Sequence, residues 1–240
     1  MYITEKEAGI LCTEIANKEK ELNNKKKVCI CGKLDPMASG KLLLLFDNDC
    51  KLMDNYLSTR KVYTWDILWG IKTDTDDGLG LIEYEKDILY FIEDNIKNLL
   101  EKYKGNIIQK FHNYSSIYVK NKYNERMPLW KWSLNNRLNE IKIPEKNVNI
   151  KYINLLNTKK IYFNDIKNDL INTILKVKGN FRQDSIIKQW NNYKNKEIYI
   201  SSFECNVSSG FYIRQLVKDI GNLSNYYGMT LNIYRKDIII

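Results

Sequence analysis

The chain has 240 residues, with 38 Lys or Arg against 29 Asp or Glu, and a formal charge of +9. This length suits one domain with a sizeable core, and the basic excess favours a polyanionic partner over a membrane surface. Biased codon usage is an alternative source of so much lysine. Five cysteines in apolar surroundings indicate reduced thiols, and a single histidine argues against a zinc site.

The N-terminal segment predicts an intracellular protein that begins with a helix. Residues 1–7 carry too much charge for a signal peptide, which leaves cytoplasm and nucleus both open. An apolar rhythm from Ile10 to Leu22 predicts a short helix from about Thr13. The basic run at residues 25–27 either contacts RNA or is an ordinary solvated stretch.

The next segment places a carboxylate on a stiff loop. Residues 32–40 read Gly-Lys-Leu-Asp-Pro-Met-Ala-Ser-Gly, and residues 42–45 are four leucines that predict a buried strand. Proline disfavours an α conformation at Asp35, and the flanking glycines tolerate unusual dihedrals. Next to apolar surface, Asp35 would need a nearby cation to stay ionised. The alternative is an ordinary Asp-Pro turn.

The middle of the chain alternates between strand and helix patterns. Residues 50–57 predict a helix, and residues 60–71 a long strand with Tyr63, Trp65, Ile67 and Trp69 on one face. A polar loop follows at residues 73–80, and its spacing does not fit a calcium loop.

The following segments predict a helix and a connection rich in basic and aromatic residues. Residues 87–104 predict a helix that Gly105 ends, and residues 106–123 two short strands around a turn. In residues 124–147, basic side chains and tryptophans interleave, as in surfaces that stack on RNA. Half-buried tryptophans that anchor a loop are the alternative.

The C-terminal part predicts further strands and helices in irregular order. We expect strands at residues 148–156, 198–207 and 231–234, and helices at residues 164–178, 184–193 and 212–221. Together with the earlier elements, this order predicts an α+β domain around one largely antiparallel sheet.

Several separated motifs resemble the TruB family of pseudouridine synthases. Residues 32–40 are similar to the family's catalytic loop, which ends G-T-L-D-P-L-A-S-G. Residues 60–63 and 73–76 resemble its K-x-Y and T-D-T segments. Residues 105–119 and 208–214 resemble its G-x-I-x-Q-x-P-P-x-Y-S-A and C-S-S-G-T-Y-I-R blocks. These motifs occur in the family's order over almost the whole chain.

The resemblance implies a tRNA pseudouridine synthase that converts a uridine of the T-loop, at position 55, into pseudouridine. It implies a single pseudouridine-synthase-type α+β domain with a mixed, mostly antiparallel sheet and an RNA-binding cleft. It implies no cofactor or metal, and we expect a monomer with the tRNA T-arm as partner. The reaction needs a base or nucleophile at the sugar, a platform for the flipped base, and a group that keeps the carboxylate ionised.

The resemblance also assigns roles to individual residues. Asp35 is the catalytic carboxylate, acting either on C1′ or on the C2′ proton, and Arg214 is the cation that binds it, expected to do so bidentately while reaching a phosphate. Tyr63 stacks on the base and Tyr212 forms a second wall. The other predicted substrate contacts are Lys6, Lys33 and Tyr234, the last in the pocket floor.

Some positions depart from the family pattern. Ile30 and Cys31 replace the loop histidine and threonine, Phe111 and His112 replace two prolines, and Tyr234 replaces leucine. Because the sequence stops at Ile240, we expect no C-terminal PUA extension, and RNA affinity would then depend on this domain. Two alternatives remain: an RNA-binding or tRNA-folding protein with little turnover, and the same enzyme acting on another RNA such as mRNA.

Overall fold

A computed structural model describes all 240 residues as twelve strands and seven α-helices. In chain order they are β1 (Tyr2–Lys6), α1 (Cys12–Leu22), β2 (Val28–Ile30), β3 (Ala38–Phe46), α2 (Met53–Leu57), β4 (Arg60–Trp69), β5 (Ile71–Thr73), β6 (Ile82–Glu85), α3 (Glu93–Glu101), β7 (Gly105–Lys110), β8 (Tyr118–Lys120), β9 (Arg126–Pro128), α4 (Leu129–Leu134), β10 (Glu145–Tyr162), α5 (Asn164–Lys176), α6 (Gln183–Asn192), β11 (Glu197–Val207), α7 (Ile213–Ser224) and β12 (Gly228–Ile239). No helix combines the length and the apolar character that crossing a bilayer requires.

Eight strands form one central sheet. Its order is β1-β3-β12-β4-β11-β10-β7, with β2 paired to β3. Every pairing is antiparallel except that of β3 with β12, which is parallel. The predicted α+β class with a mixed, mostly antiparallel sheet is therefore confirmed.

The sheet buries side chains on both faces. Along β4, the predicted stripe of Tyr63, Trp65, Ile67 and Trp69 packs into a core with α1, α3 and α7. Leu68 points the other way, into a second core with α5 and α6. Because successive side chains of a strand point to opposite faces, β4 separates the two cores.

A close approach between β3 and β12 fixes the end of the Asp35 loop. Gly40 has φ +105°, a conformation that L side chains rarely adopt, and it lies opposite Arg235 in the parallel pairing. A Cβ atom at this position would overlap the Arg235 backbone. Only glycine therefore lets β12 run beside the loop at this distance.

Some predicted strands have other bounds in the structure: β10 runs to Tyr162 rather than residue 156, and β12 spans Gly228–Ile239 rather than residues 231–234. Three further differences have an identifiable physical cause. Strand β1 was not expected; it forms because it pairs with β3 at the sheet edge, and its own polar sequence gives a weak strand pattern. Helix α3 begins at Glu93 rather than residue 87, because Phe91 packs between Trp69 and Tyr226 and holds the preceding segment out of the helix.

The third difference concerns the two short strands predicted around a turn in residues 106–123. Strand β7 pairs with β10 in the main sheet, whereas β8 pairs with β9 in a separate two-stranded sheet. The segment 111–143, here called the insertion, contains β8, β9 and α4 and has its own small core around Trp132. The two strands are therefore not partners, because the chain leaves the main sheet between them.

Candidate active site

Asp35 lies on the loop between β2 and β3, which hydrogen bonds hold from several sides. The Ala38 N–H donates to the Asp35 carbonyl at 3.1 Å, and the Gly9 N–H donates to the Pro36 carbonyl at 2.9 Å. The Arg235 guanidinium donates to the carbonyls of Gly32 and Lys33 at 2.9 and 3.1 Å. The loop is thus fixed by its own turn, by the N-terminal segment and by β12, while 34% of the Asp35 side chain stays exposed.

Arg214 is the cation that Asp35 requires. It lies in the first turn of α7, is 4% exposed, and its Nε–H donates to Asp35 Oδ2 at 2.8 Å. Burial disfavours the ionised form of Asp35, but the charge and hydrogen bond of Arg214 outweigh it and lower the pKa of this carboxyl. Asp35 is therefore a carboxylate that is ionised at neutral pH and still open to a ligand.

The expected bidentate geometry between Arg214 and Asp35 is wrong. Only Nε binds Asp35, because Nη1 donates to the Thr75 carbonyl at 3.0 Å. Since the guanidinium is buried and engaged on both sides, it is not placed to reach a phosphate at the surface as well.

Asp77 is a site residue that the sequence analysis missed. Its Oδ2 lies 3.6 Å from Arg214 Nε, and its Oδ1 accepts hydrogen bonds from the Thr75 hydroxyl at 2.7 Å and the Leu79 N–H at 3.0 Å. Burial raises the pKa of Asp77 to about 6, although Arg214 acts in the opposite direction. Its signal in the sequence is a third carboxylate directly after the Thr-Asp-Thr-Asp segment, one residue beyond the part that resembles the family motif.

Tyr63 and Tyr212 stand on different elements and line the same cavity as Asp35. Tyr63 is 8% exposed on β4, and its hydroxyl accepts a hydrogen bond from Arg235 Nε at 3.1 Å. Tyr212 precedes α7, where its N–H and carbonyl bond the side chain of Gln109 at 2.9 and 3.0 Å. Burial and the charge of Asp35 raise the pKa of Tyr212, so its hydroxyl stays protonated.

The other predicted contacts fall in different places. Lys33 is exposed and lines the cavity. Lys6 does not line it: Lys6 is 1% exposed, and its ammonium donates to the carbonyls of Glu7, Pro36 and Ala38. The predicted substrate contact of Lys6 is therefore wrong, because its ammonium is buried and already donates to these three carbonyls. Lys6 instead holds the Asp35 loop in place.

Tyr234 does not form the pocket floor. It is 40% exposed, while its neighbours Ile233 and Arg235 line the cavity. Successive side chains of a strand point to opposite faces of the sheet, so Ile233 and Arg235 of β12 point toward the cavity and Tyr234 points away from it.

The cavity in front of Asp35 has a volume of about 700 Å³. Its inner wall comes from the Asp35 loop, β4 and α7, and its outer wall includes Tyr114, Ser115 and Trp130 of the insertion. Trp130 and Trp132, the two tryptophans of the segment predicted to stack on RNA, lie in different environments. Trp130 is 41% exposed at the cavity, whereas Trp132 is fully buried and donates to the Val119 and Met127 carbonyls at 3.3 and 3.2 Å.

The chain is similar to members of one protein family. Residues 20–170 match the model of the TruB family pseudouridylate synthase, N-terminal domain. The chain is 34% identical over 165 residues to the tRNA pseudouridine synthase B of Wigglesworthia glossinidia brevipalpis, an alignment that covers 68% of this chain and 48% of the relative. It is 28% identical to the tRNA pseudouridine synthase B of Endomicrobium trichonymphae over 239 residues, covering 100% of this chain and 84% of that protein. The chain thus spans about half the length of the first relative and most of the second.

Solved structures show the same fold. The chain aligns with a Cbf5–Nop10–Gar1 complex at a TM-score of 0.57 and 17% identity, covering 98% of this chain and 47% of that one. It aligns with an H/ACA RNP bound to a substrate RNA containing 2′-deoxyuridine at a TM-score of 0.54 and 16% identity, covering 98% and 45%.

Proposed function

This chain belongs to the TruB family of pseudouridylate synthases, and from that premise we propose that it isomerises a uridine of tRNA to pseudouridine with Asp35 as the catalytic carboxylate. One observation carries the proposal. Asp35 is held ionised by a buried guanidinium and still presents a third of its side chain to a cavity with tyrosine on its walls.

The reaction breaks the N1–C1′ bond of uridine, turns the base and joins C5 to C1′. The proton lost from C5 balances the proton gained at N1, so neither oxidant nor reductant is consumed. A carboxylate can assist either by attacking C1′ or by removing the C2′ proton, and both routes regenerate it. The arrangement of Asp35 and Arg214 supports either route, because the free Asp35 oxygen needs no further activation.

The cavity suits a base that has left its stack. Tyr63 and Tyr212 give two aromatic walls, and the volume of about 700 Å³ exceeds what one nucleobase requires. Withdrawing a base from its stack costs a few kcal/mol, and contact with aromatic side chains offsets part of that cost.

We further propose that the target is the T-loop uridine at position 55. Two relatives are tRNA pseudouridine synthases by name, and Asp35, Tyr63 and Arg214 each lie in a segment that resembles a family motif. The formal charge of +9 supports an RNA substrate, and Lys33 places an exposed ammonium at the cavity.

The test uses an unmodified tRNA transcript and a matched transcript in which cytidine replaces the T-loop uridine. Pseudouridine is mapped chemically after incubation with wild-type protein or with Asp35→Asn. We expect product at the T-loop position from wild type only, and no product in the cytidine transcript. Binding of both proteins without product would contradict the proposal and favour the tRNA-folding alternative. Product from wild type at a uridine outside the T-loop would support the isomerase activity and overturn the T-loop target.

A further inference from the structure

His112, the only histidine of the chain, lies in a buried cluster that has no part in the chemistry proposed above. Its side chain is fully buried, and Nε2 lies 2.9 Å from Oδ2 of Asp76, which is 1% exposed. The same Asp76 oxygen is 3.2 Å from Lys218 Nζ. The other oxygen, Oδ1, is buried without a hydrogen-bond partner. Asp76 thus depends on two side-chain donors, one from the insertion and one from α7.

The hydrogen bonds determine which ring nitrogen of His112 carries the proton. The Tyr114 N–H donates to Nδ1 at 3.1 Å, so Nδ1 must be unprotonated and Nε2–H donates to Asp76. Burial and the nearby Arg214 lower the pKa of His112 to about 4, which keeps the ring neutral. His112 therefore accepts from its own segment and donates to the loop 73–80.

Asp76 stands between the two residues of this loop that contact Arg214. The Thr75 carbonyl accepts from Arg214 Nη1 at 3.0 Å, and Asp77 Oδ2 lies 3.6 Å from Nε. Lys218 follows Arg214 by four residues on α7, so both side chains emerge on one face of the helix. The loop is thereby clamped to α7 at two points, one turn apart.

We propose that His112 and Lys218 are positioning residues for Arg214: through the carboxylate of Asp76, His112 holds the loop 73–80 to the insertion and Lys218 holds it to α7, and together they set the geometry of Arg214 with Asp35. The proposal rests on the proposed function for its kinetic test only. His112 and Phe111 stand where the family pattern has two prolines, which offer no side-chain donor. His112 therefore supplies a side-chain hydrogen bond at a position where the family pattern has a residue without a side-chain donor.

The alternative is that the cluster only stabilises the fold. A pair of substitutions separates the two roles, because glutamine and asparagine each keep one half of the imidazole's hydrogen bonds. His112→Gln can place an amide N–H near the Nε2 position and keep the bond to Asp76. His112→Asn can place an acceptor near the Nδ1 position and keep the Tyr114 bond while losing Asp76. Each variant loses one of the two hydrogen bonds of His112, so a purely structural role predicts similar rates and similar thermal midpoints for the two variants.

The kinetic test measures single-turnover pseudouridine formation with saturating protein, and the thermal midpoint of each variant. We expect His112→Gln to retain a rate close to wild type and His112→Asn to fall by up to about 10²-fold, the effect of misplacing catalytic groups by roughly an ångström. The rate should fall to a similar extent in Lys218→Met, and it should stay close to wild type in Lys218→Arg, which keeps a cationic donor. Lys236→Met, which removes an exposed lysine paired with Glu204 at 2.8 Å, is the matched control. The proposal would be overturned if His112→Gln and His112→Asn had equal rates and Lys218→Arg and Lys218→Met did as well.

A second readout does not need activity. In protein labelled with ¹⁵N-arginine, the Nε–H resonance of Arg214 reports its bond to Asp35. We expect this resonance to shift or broaden in His112→Asn and Lys218→Met, and to stay in place in His112→Gln and Lys218→Arg. If the wild type forms no pseudouridine but the resonance follows this pattern, the proposed function fails and the positioning role stands. An unchanged resonance in all four variants would overturn it.

Discussion

Asp35 and Asp77 share one guanidinium but differ in their access to solvent. Asp35 accepts a 2.8 Å hydrogen bond from Arg214 and is a third exposed, whereas Asp77 is buried and its carboxylate lies 3.6 Å away. The pKa of Asp35 is therefore lowered, and burial raises that of Asp77 to about 6. Two carboxylates with opposite shifts around one cation are typical of sites where one group performs the chemistry and another tunes it.

Replacing Arg214 tests whether its guanidinium is the counter-charge of the two carboxylates. Arg214→Gln leaves Asp35 and Asp77 without a counter-charge, and we expect the free energy of unfolding at neutral pH to fall by about 3 kcal/mol, at the low end for buried pairs because solvent reaches Asp35. The pKa of Asp35 should rise, so the acid limb of the pH–rate profile should move to higher pH. An acid limb in the wild-type position would contradict this. Arg137→Gln, which breaks pairs with Glu125 and Glu140 in the insertion, is the control.

Asp77 makes a separate prediction about stability. Because burial raises its folded-state pKa from 3.8 to about 6, ionising Asp77 disfavours the fold, and its favourable contribution is lost as the pH rises through that interval. The free energy of unfolding of wild type should therefore fall by about 3 kcal/mol relative to Asp77→Asn over this range. Denaturant titrations at closely spaced pH values measure the difference. A constant difference across the range would show that Asp77 ionises normally.

At the scale of elements, the sequence predicted what local patterns encode. The leucine run of β3 and the alternating stripe of β4 correctly predicted their strands, whereas the helix predicted to run up to Gly105 ends at Glu101, and Gly105 begins β7. Strand β1 and the start of α3 were not predictable, because β3 and Phe91 determine them through tertiary contacts. In the site, Asp35, Tyr63, Tyr212 and Arg214 followed from motifs and meet at one cavity. Asp77 did not, because its importance comes from burial beside a residue far away in sequence.

Lys6 tests how β1 supports the Asp35 loop. Its buried ammonium donates to the carbonyls of Glu7, of Pro36 in that loop and of Ala38 where β3 begins, and burial lowers its pKa to about 8. Lys6→Met keeps the apolar stem but leaves these acceptors unsatisfied, which we expect to lower the free energy of unfolding by about 1–3 kcal/mol. The rate of isomerisation should fall with it. Lys41→Met, on the neighbouring strand and paired with Asp237 at 2.7 Å near the surface, should have little effect on either quantity. A Lys6→Met variant as active and stable as wild type would refute the loop-holding role.

At the scale of the whole molecule, the excess of basic residues has to act through particular surfaces. Residues 25–27 are exposed, and the backbone N–H groups of Lys26 and Lys27 both donate to Asp47 at 2.9 Å. These bonds fix the run immediately before β2 and leave the three ammonium groups facing solvent. The run is therefore accessible to an RNA backbone.

Charge reversal at residues 25–27 should weaken RNA binding and flatten its salt dependence. Each phosphate contact contributes close to one unit to the slope of log affinity against log salt concentration. Binding isotherms of a tRNA transcript at several salt concentrations measure that slope for wild type and for the triple Lys→Glu variant. The triple variant Lys122→Glu, Lys188→Glu and Lys194→Glu has the same net charge and controls for long-range effects. Parallel slopes for wild type and the 25–27 variant would rule out the contact.

The central claim is that the Asp35 carboxylate carries out an isomerisation in which C5 of uridine loses its hydrogen. The most direct measurement is therefore tritium release from tRNA labelled at C5 of uridine, with binding measured in parallel. We predict that wild type releases tritium, and that Asp35→Asn binds the RNA comparably but releases none. Release by Asp35→Asn at the wild-type rate would contradict the account, as would tight binding by wild type with no release.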